Sequence, residues 1–174
     1  MSVRFFMNAI FNASTQLWFW LAIIATAVGL ELGALYFQEV LAYYPCELCI
    51  YVRVWLTSMA LVSLLSLFIR NVAVLRRTAL VAVIFLTFGL AHETWLLQGL
   101  EYGWNADGAC GLVANFPSWA RLDEWWPTMF RVQDACSATP RVFGNFSMAD
   151  GLTLVCIGLL SGCGLALYGD LKRR

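Results

Sequence analysis

Apolar residues are concentrated in four runs, which are separated by short polar segments and one long one. The runs cover residues 17–37, 48–69, 78–97 and 151–169. About 20 apolar residues in a helix cross the hydrocarbon layer of a membrane. Because backbone N–H and C=O groups find no partners in lipid, each run is predicted to be a helix. The pattern therefore predicts an all-α membrane protein, a four-transmembrane-helix bundle that forms a single domain over residues 1–174.

Composition agrees with this class of protein. Apolar residues make up 61% of the chain and charged residues 13%, and the formal net charge is zero. A disordered chain needs low hydrophobicity, and a nucleic-acid-binding protein needs a basic excess, so both classes are excluded. The first run is too long for a secretory signal, and no A-x-A cleavage pattern follows it. It is predicted to be a retained helix.

Basic residues near the ends of the runs predict the orientation, since Lys and Arg favour the cytoplasmic side. One side of the predicted bundle carries seven basic residues against the single acid Asp170: Arg4, Arg70, Arg76, Arg77, Lys172, Arg173 and Arg174. The other side carries three basic residues and eight acids: Arg121, Arg131, Arg141, Glu39, Glu47, Glu101, Asp107, Asp123, Glu124, Asp134 and Asp150. Both termini are therefore expected in the cytoplasm. Loops 38–47 and 98–150 are expected outside.

Four of the six cysteines fall on the predicted outer side, which is oxidising in bacteria. Cys46 and Cys49 form a CxxC at the mouth of the second run, whereas Cys110 and Cys136 lie in the long loop. The remaining two lie two helical turns apart in the fourth run, too far apart to bridge each other, and are interpreted as buried packing residues: Cys156 and Cys163.

A CxxC on a first helical turn can close a small disulfide, and the positive helix end there stabilises a thiolate. A zinc site or a purely structural bridge are the alternatives. Zinc usually takes four ligands in two close pairs, and Cys110 and Cys136 lack that spacing. Redox chemistry is therefore preferred, and no metal is predicted.

Ionisable residues inside the runs lie at one predicted depth. The predicted helices reach the outer surface near Gln38, Cys46 and Gln98. Counted from there, the ionisable residues lie five to seven residues in, about 8–10 Å below the surface: Glu31, Arg53, His92 and Glu93. Charges inside a membrane are costly and usually functional. Arg53 shares a helix face with the CxxC, and its planar cation suits a carbonyl oxygen that gains negative charge on reduction. An ion pair between Glu31 and Arg53 that only holds the bundle is the alternative. Only one of His92 and Glu93 is expected to face the site.

The long loop contains a Trp-rich segment that is predicted to form a short interfacial helix. Trp119, Trp125 and Trp126 are typical of the headgroup boundary, and Leu122 lies between them. Anchoring of this segment would limit how far Cys136 moves from the CxxC. An aromatic belt without further role is the alternative.

At the level of motifs the chain resembles the disulfide bond formation protein B (DsbB) family, quinone-linked thiol oxidases of the bacterial inner membrane. The most specific segment is Pro45-Cys46-Glu47-Leu48-Cys49-Ile50-Tyr51-Val52-Arg53. Further matches are Leu30-Glu31-Leu32, Phe37-Gln38, Phe116-Pro117-Ser118-Trp119, Leu122-Asp123, Trp125, Pro127 and Asp134 before Cys136. Here the CxxC is followed by Arg four positions on, the chain has four apolar runs, and the long loop carries a second cysteine pair. This combination is far more specific than a CxxC alone.

The resemblance implies a route for electrons. It implies disulfides Cys46–Cys49 and Cys110–Cys136, and a reduced periplasmic thioredoxin-fold oxidase (DsbA-like) as the partner that attacks Cys110. Cys136 would then attack Cys46, and Cys49 would pass the electrons to a bound quinone, either ubiquinone or menaquinone. Arg53 would help to hold the quinone.

The residue layer described above is consistent with such a quinone site. Glu31, His92 and Glu93 are its further candidate binding residues. Two departures from the family pattern, a long segment before Cys110 and an ambiguous register at His92-Glu93, suggest a specialised branch with a dedicated partner as one alternative. The others are a structural or transport protein with stapling disulfides, and a quinone reductase of the vitamin K epoxide reductase type. The last has the reverse order of cysteine pairs.

Overall fold

Four long helices dominate the computed structural model, which describes residues 12–104, 110–136, 141–144 and 146–172. A short 3-10 turn at Ala13–Thr15 precedes them. In chain order the elements are α1 (Leu17–Glu39), α2 (Glu47–Ile69), α3 (Ala73–Tyr102), α4 (Leu122–Trp125), α5 (Pro127–Phe130), β1 (Arg141–Phe143), β2 (Phe146–Ser147) and α6 (Met148–Leu171). Arg4, Asp107, Arg173 and Arg174, which contribute to the predicted orientation, lie outside the described residues.

The predicted fold class is confirmed. Helices α1, α2, α3 and α6 are each long and apolar enough to cross a membrane. Helix α3 departs most from its predicted bounds. It extends by about a turn beyond each end of the apolar run and ends at Gly103, where φ is 79°. Helix α6 begins three residues before its run because Ser147 and Asp150 form a capping box. Hydropathy marks where a helix is apolar, whereas capping groups decide where it ends.

The outer surface of the bundle is rich in large apolar side chains. Phe68 and Phe85 are 79% and 68% exposed, while Trp20 in the interior is fully buried. Helices that are apolar on all sides, with the inner face packed and the outer face bare, are typical of a lipid environment.

The long loop contains two single-turn helices and a small hairpin. Helices α4 and α5 occupy the segment where a short helix was predicted, and Trp119, Trp125 and Trp126 are 79%, 67% and 61% exposed beside them. Their contact with a membrane surface stays a prediction. The antiparallel pair β1–β2 was not predicted, because strands of three and two residues leave no periodic signal.

A separate small core fixes the loop to the bundle. Ile50 of α2 packs with Ala114, Met129 and Phe130 of the loop, and all four are buried. The loop therefore lies against the outer end of α2.

Each long helix packs mainly on its neighbours in sequence. The extensive contacts join α1 to α2, α2 to α3 and α3 to α6. Cys156 and Cys163 lie in the main core at 3% and 1% exposure, as buried free thiols.

At the opposite end of the bundle from the CxxC, Asp170 of α6 forms ion pairs with two arginines of α3. Arg76 and Arg77 both bond to its carboxylate, the latter at 2.7 Å from Nε to Oδ2. Asp170 is 1% exposed. The cluster thus ties the start of α3 to the end of α6.

Gly89 of α3 leaves room for the ring of Trp55 of α2. A Cβ atom built there would lie 2.6 Å from the ring of Trp55. We expect Gly89→Ala to lower the free energy of unfolding by about 1–3 kcal/mol, because a rigid indole must move. Thermal unfolding in detergent measures this. Gly29→Ala is the matched control, since nothing lies within 4 Å of a Cβ there; equal midpoints for both variants would contradict the prediction.

Candidate active site

The CxxC lies where helix α2 begins. Cys46 is the N-cap residue, and its Sγ accepts a hydrogen bond from the Cys49 backbone N–H at 3.4 Å. The two Sγ atoms are 2.7 Å apart, and both cysteines are free thiols in the structure. A disulfide has an S–S length near 2.05 Å, so a small movement would close the bond.

The surroundings of Cys46 favour its protonated form. The hydrogen bond with Cys49, and secondly burial, raise the pKa of the Cys46 thiol above its usual value.

The second cysteine pair lies directly beside the first. Cys110 and Cys136 are joined by a disulfide, with their Cα atoms 5.7 Å apart. The Sγ atoms of Cys46, Cys110 and Cys136 all lie within 4.8 Å of one another. Three clustered sulfurs also resemble a metal site, but two of them are bonded to each other and are not thiolates, the form that binds metal. The arrangement suits exchange between a dithiol and a disulfide.

Backbone hydrogen bonds hold the Cys136 end of the loop. The N–H groups of Gln133 and Asp134 both donate to the carbonyl oxygen of Pro45, at 3.0 and 3.4 Å. Pro45 directly precedes Cys46, so the segment leading to Cys136 is attached to the CxxC itself.

A cavity opens beneath the CxxC, between α1, α2 and α6. Its walls include Cys46, Cys49 and Arg53 from α2 and its cap. Apolar residues supply much of the remainder, among them Leu30, Ala34, Phe37, Val52, Leu56, Leu97, Met148, Ala149 and Leu152. A mostly apolar cavity with a few polar groups is typical of a small-molecule site.

Arg53 is fixed by two neutral acceptors. Its Nη1 donates to Gln38 Oε1 and to the Met129 carbonyl oxygen, both at 2.9 Å, and the residue is 4% exposed. Gln38 in turn donates to the Thr128 carbonyl oxygen at 3.2 Å. The guanidinium is thereby held one turn below Cys49, in the wall of the cavity.

Glu31 does not form the alternative ion pair with Arg53. In the part of the chain that the structure describes, its Oε1 accepts a hydrogen bond from Thr57 at 3.2 Å and its Oε2 has no partner. The residue is buried but is not among those that line the cavity. Although Glu31 and Arg53 lie at the same depth, only Arg53 lines the cavity.

His92 and Glu93 point in different directions, as their neighbouring positions require. The side chain of His92 is 68% exposed and that of Glu93 is 15% exposed, with Nδ1 and Oε1 3.7 Å apart. Glu93 is therefore the inward-facing member. Neither residue lines the cavity.

Several residues of the site were not selected from the sequence. Gln38 and Met129 hold Arg53, and the start of α6 closes one side of the cavity. Gln38 offered a signal, because a polar side chain lies there at the end of the first apolar run. Met129 acts through its backbone carbonyl, which leaves no trace in the sequence.

Comparison with known proteins gives the same picture over nearly the whole chain. A family model described as disulfide bond formation protein DsbB matches residues 16–166. The chain belongs to this family. Three relatives carry the name disulfide bond formation protein B, and the chain is similar to each of them. The relative from Psychromonas ingrahamii is 33% identical over 80% of this chain and 75% of its own length. The one from Vibrio parahaemolyticus is 32% identical over 89% of both chains. The one from Yersinia pestis strain Pestoides F is 35% identical over 76% of this chain and 75% of its own.

Membership in the DsbB family agrees with the geometry of the site. A disulfide-forming protein needs cysteines that exchange a disulfide, and here a dithiol and a disulfide lie in contact distance of each other. The chain is thus a multi-pass membrane protein with oxidoreductase character.

Proposed function

We propose that this protein is a membrane thiol:quinone oxidoreductase. It reoxidises a periplasmic thioredoxin-fold thiol oxidase (DsbA-like) and passes the electrons through two cysteine pairs to quinone. The observation that supports this most is the cluster of three sulfurs within 4.8 Å at the mouth of a cavity that contains Arg53.

The proposed reaction begins with both cysteine pairs as disulfides. A thiolate of the reduced partner attacks Cys110, which breaks the Cys110–Cys136 bond and releases Cys136 as a thiolate. A second partner thiolate then releases Cys110 and leaves the partner oxidised. Cys136 attacks Cys46, which breaks the Cys46–Cys49 bond, and Cys110 attacks Cys136 to restore the loop disulfide. Two electrons thereby reach Cys46 and Cys49.

The residues of the cavity fit a quinone. A benzoquinone or naphthoquinone ring is flat and largely apolar with carbonyl oxygens at its edge, and the cavity combines apolar walls with the guanidinium of Arg53. When bound, ubiquinone or menaquinone would accept two electrons and two protons. Cys49 is the thiol one helical turn from Arg53, and Arg53 would orient a carbonyl oxygen and stabilise its developing charge. Glu31, His92 and Glu93 stay candidates only for indirect roles.

The proposed setting is the bacterial inner membrane, with both termini in the cytoplasm. The basic cluster of Arg70, Arg76 and Arg77 lies at the end of the bundle opposite the CxxC. Basic residues favour the cytoplasmic side, and this supports a periplasmic position for both cysteine pairs, where the environment is oxidising.

The decisive experiment uses purified protein, a reduced thioredoxin-fold partner and a soluble quinone analogue. Quinone should be consumed and the partner oxidised in a one-to-one ratio. Thiol trapping in cells gives a second test, because depletion of quinone should leave the four outer cysteines reduced. A structural or transport protein would show neither effect.

Replacement of Arg53 by lysine should weaken the site for quinone. Lysine cannot keep both the Gln38 and Met129 bonds and still present a planar donor, so we expect KM for quinone to rise about tenfold. Steady-state kinetics with varied quinone measures this. Arg121→Lys is the matched control at an exposed position; an unchanged KM in Arg53→Lys would remove Arg53 from the site.

A further inference from the structure

Glu47, which lies between the two cysteines of the CxxC, contacts the backbone of the long loop next to the loop disulfide. Its Oε2 accepts a hydrogen bond from the backbone N–H of Gly111, the residue next to Cys110. We call residues 110–115 the Cys110 arm. A charged acceptor makes this bond stronger than one between neutral groups.

Tyr51 extends the same contact by one helical turn. Its hydroxyl donates to Glu47 Oε1 at 2.9 Å and accepts from the backbone N–H of Asn115 at 2.9 Å. The ring of Tyr51 also packs edge-on against Phe116, with centroids 6.2 Å apart. Glu47 and Tyr51 therefore hold both ends of the Cys110 arm.

The carboxylate fits closely against the arm. A Cβ atom at Gly111 would lie 2.9 Å from Glu47 Oε2 and 3.2 Å from the Val113 carbonyl oxygen. The absence of a side chain at Gly111 is what lets the carboxylate reach the backbone. The Pro45 carbonyl holds the segment before Cys136, and Glu47 holds the residue after Cys110. Both cysteines of the loop disulfide are therefore fixed close to the CxxC.

We propose that Glu47 and Tyr51 are positioning residues that keep the Cys110–Cys136 pair beside Cys46 for internal exchange. This inference rests on the proposed function. Neither residue touches a reacting sulfur in the exchange. A loop held at two points samples fewer conformations. Glu47 and Tyr51 thereby lower the entropy cost of bringing a thiolate of the loop to Cys46.

The exchange can be followed without a partner, starting from fully reduced protein and excess soluble quinone. Quinone takes two electrons from Cys46 and Cys49, which become a disulfide. Cys136 then attacks Cys46 and releases Cys49 as a thiolate, and Cys110 attacks Cys136 to free Cys46. The loop pair is then oxidised, the CxxC is again a dithiol, and a second quinone reoxidises it. Alkylation of remaining thiols and mass measurement separates the two phases.

We expect Glu47→Gln and Tyr51→Phe each to slow oxidation of the loop pair about tenfold, while oxidation of the CxxC keeps its rate. Tyr102→Phe is the matched control, because it removes a tyrosine hydroxyl from the carboxylate of Asp150 instead. An unchanged second phase would overturn the proposal. Equal slowing of both phases would also overturn it, since it would show a general structural role. If the wild-type protein fails even the first phase, the proposed function itself fails.

Discussion

Cys49→Ser is expected to lower the partner-driven rate of quinone reduction by about a thousandfold or more, the usual result of removing an essential nucleophile. A hydroxyl cannot form a disulfide with Cys46, and it cannot supply the electrons that a thiolate supplies. Cys46 also lines the cavity, but it lies two helical turns above Arg53, whereas Cys49 lies one turn above it and is the better placed of the two to react beside the guanidinium. The rate is measured from the loss of quinone absorbance with reduced partner present.

Two comparisons make this result specific. Cys156→Ser changes a buried thiol in the core of α6 and should retain the wild-type rate. Cys49→Ser should still form a mixed disulfide with the partner, because the Cys110–Cys136 bond that we propose the partner attacks is intact. Substantial quinone reduction by Cys49→Ser would contradict the proposed route for electrons.

Asp170→Asn is expected to give the largest loss of stability. The carboxylate is 1% exposed and is the partner of both Arg76 and Arg77. Asparagine would leave the buried guanidinium of Arg76 and the partly exposed one of Arg77 without their counter-charge. Removal of one partner of a buried pair costs about 3–5 kcal/mol. Unfolding in mixed detergent micelles measures the difference.

The control for Asp170→Asn is another acid-to-amide change. Glu124→Gln breaks an exposed pair with Arg121, 2.7 Å from Nη2 to Oε1, and should cost less than about 1 kcal/mol. Similar stabilities of the two variants would show that the buried cluster contributes little. The active site lies at the other end of the bundle, so folded Asp170→Asn protein should keep the wild-type KM for quinone.

The helices were predictable because a long apolar run in lipid must bond its backbone N–H and C=O groups within the run, and an α-helix does this. The four long helices agree with the runs, apart from the ends set by Gly103 and by the capping box of Ser147. Position along the run also predicted that Arg53 lies under the CxxC. Its hydrogen-bond partners were not predictable, because Gln38 reaches it through the packing of α1 on α2 and the carbonyl of Met129 only after the long loop has folded back.

Depth along a helix carries no information about direction around the bundle. Glu31 and Arg53 share a depth, yet Glu31 bonds to Thr57 and Arg53 bonds to Gln38. The same limit applies to the loop. Its cysteine pair was visible in the sequence, but the small core around Ile50 and the bonds to Pro45 depend on contacts between distant segments.

The packing of each long helix on its sequence neighbour has a consequence for biosynthesis. Helix α2 can pack against α1 as soon as it enters the membrane, and α3 and then α6 can each add to a surface that is already in place. Contacts between adjacent segments form quickly because little chain must be searched. The long loop is synthesised between α3 and α6, and thus after α2, the helix on which it folds. Assembly can thus follow the order of translation, with the disulfide-exchanging site completed last.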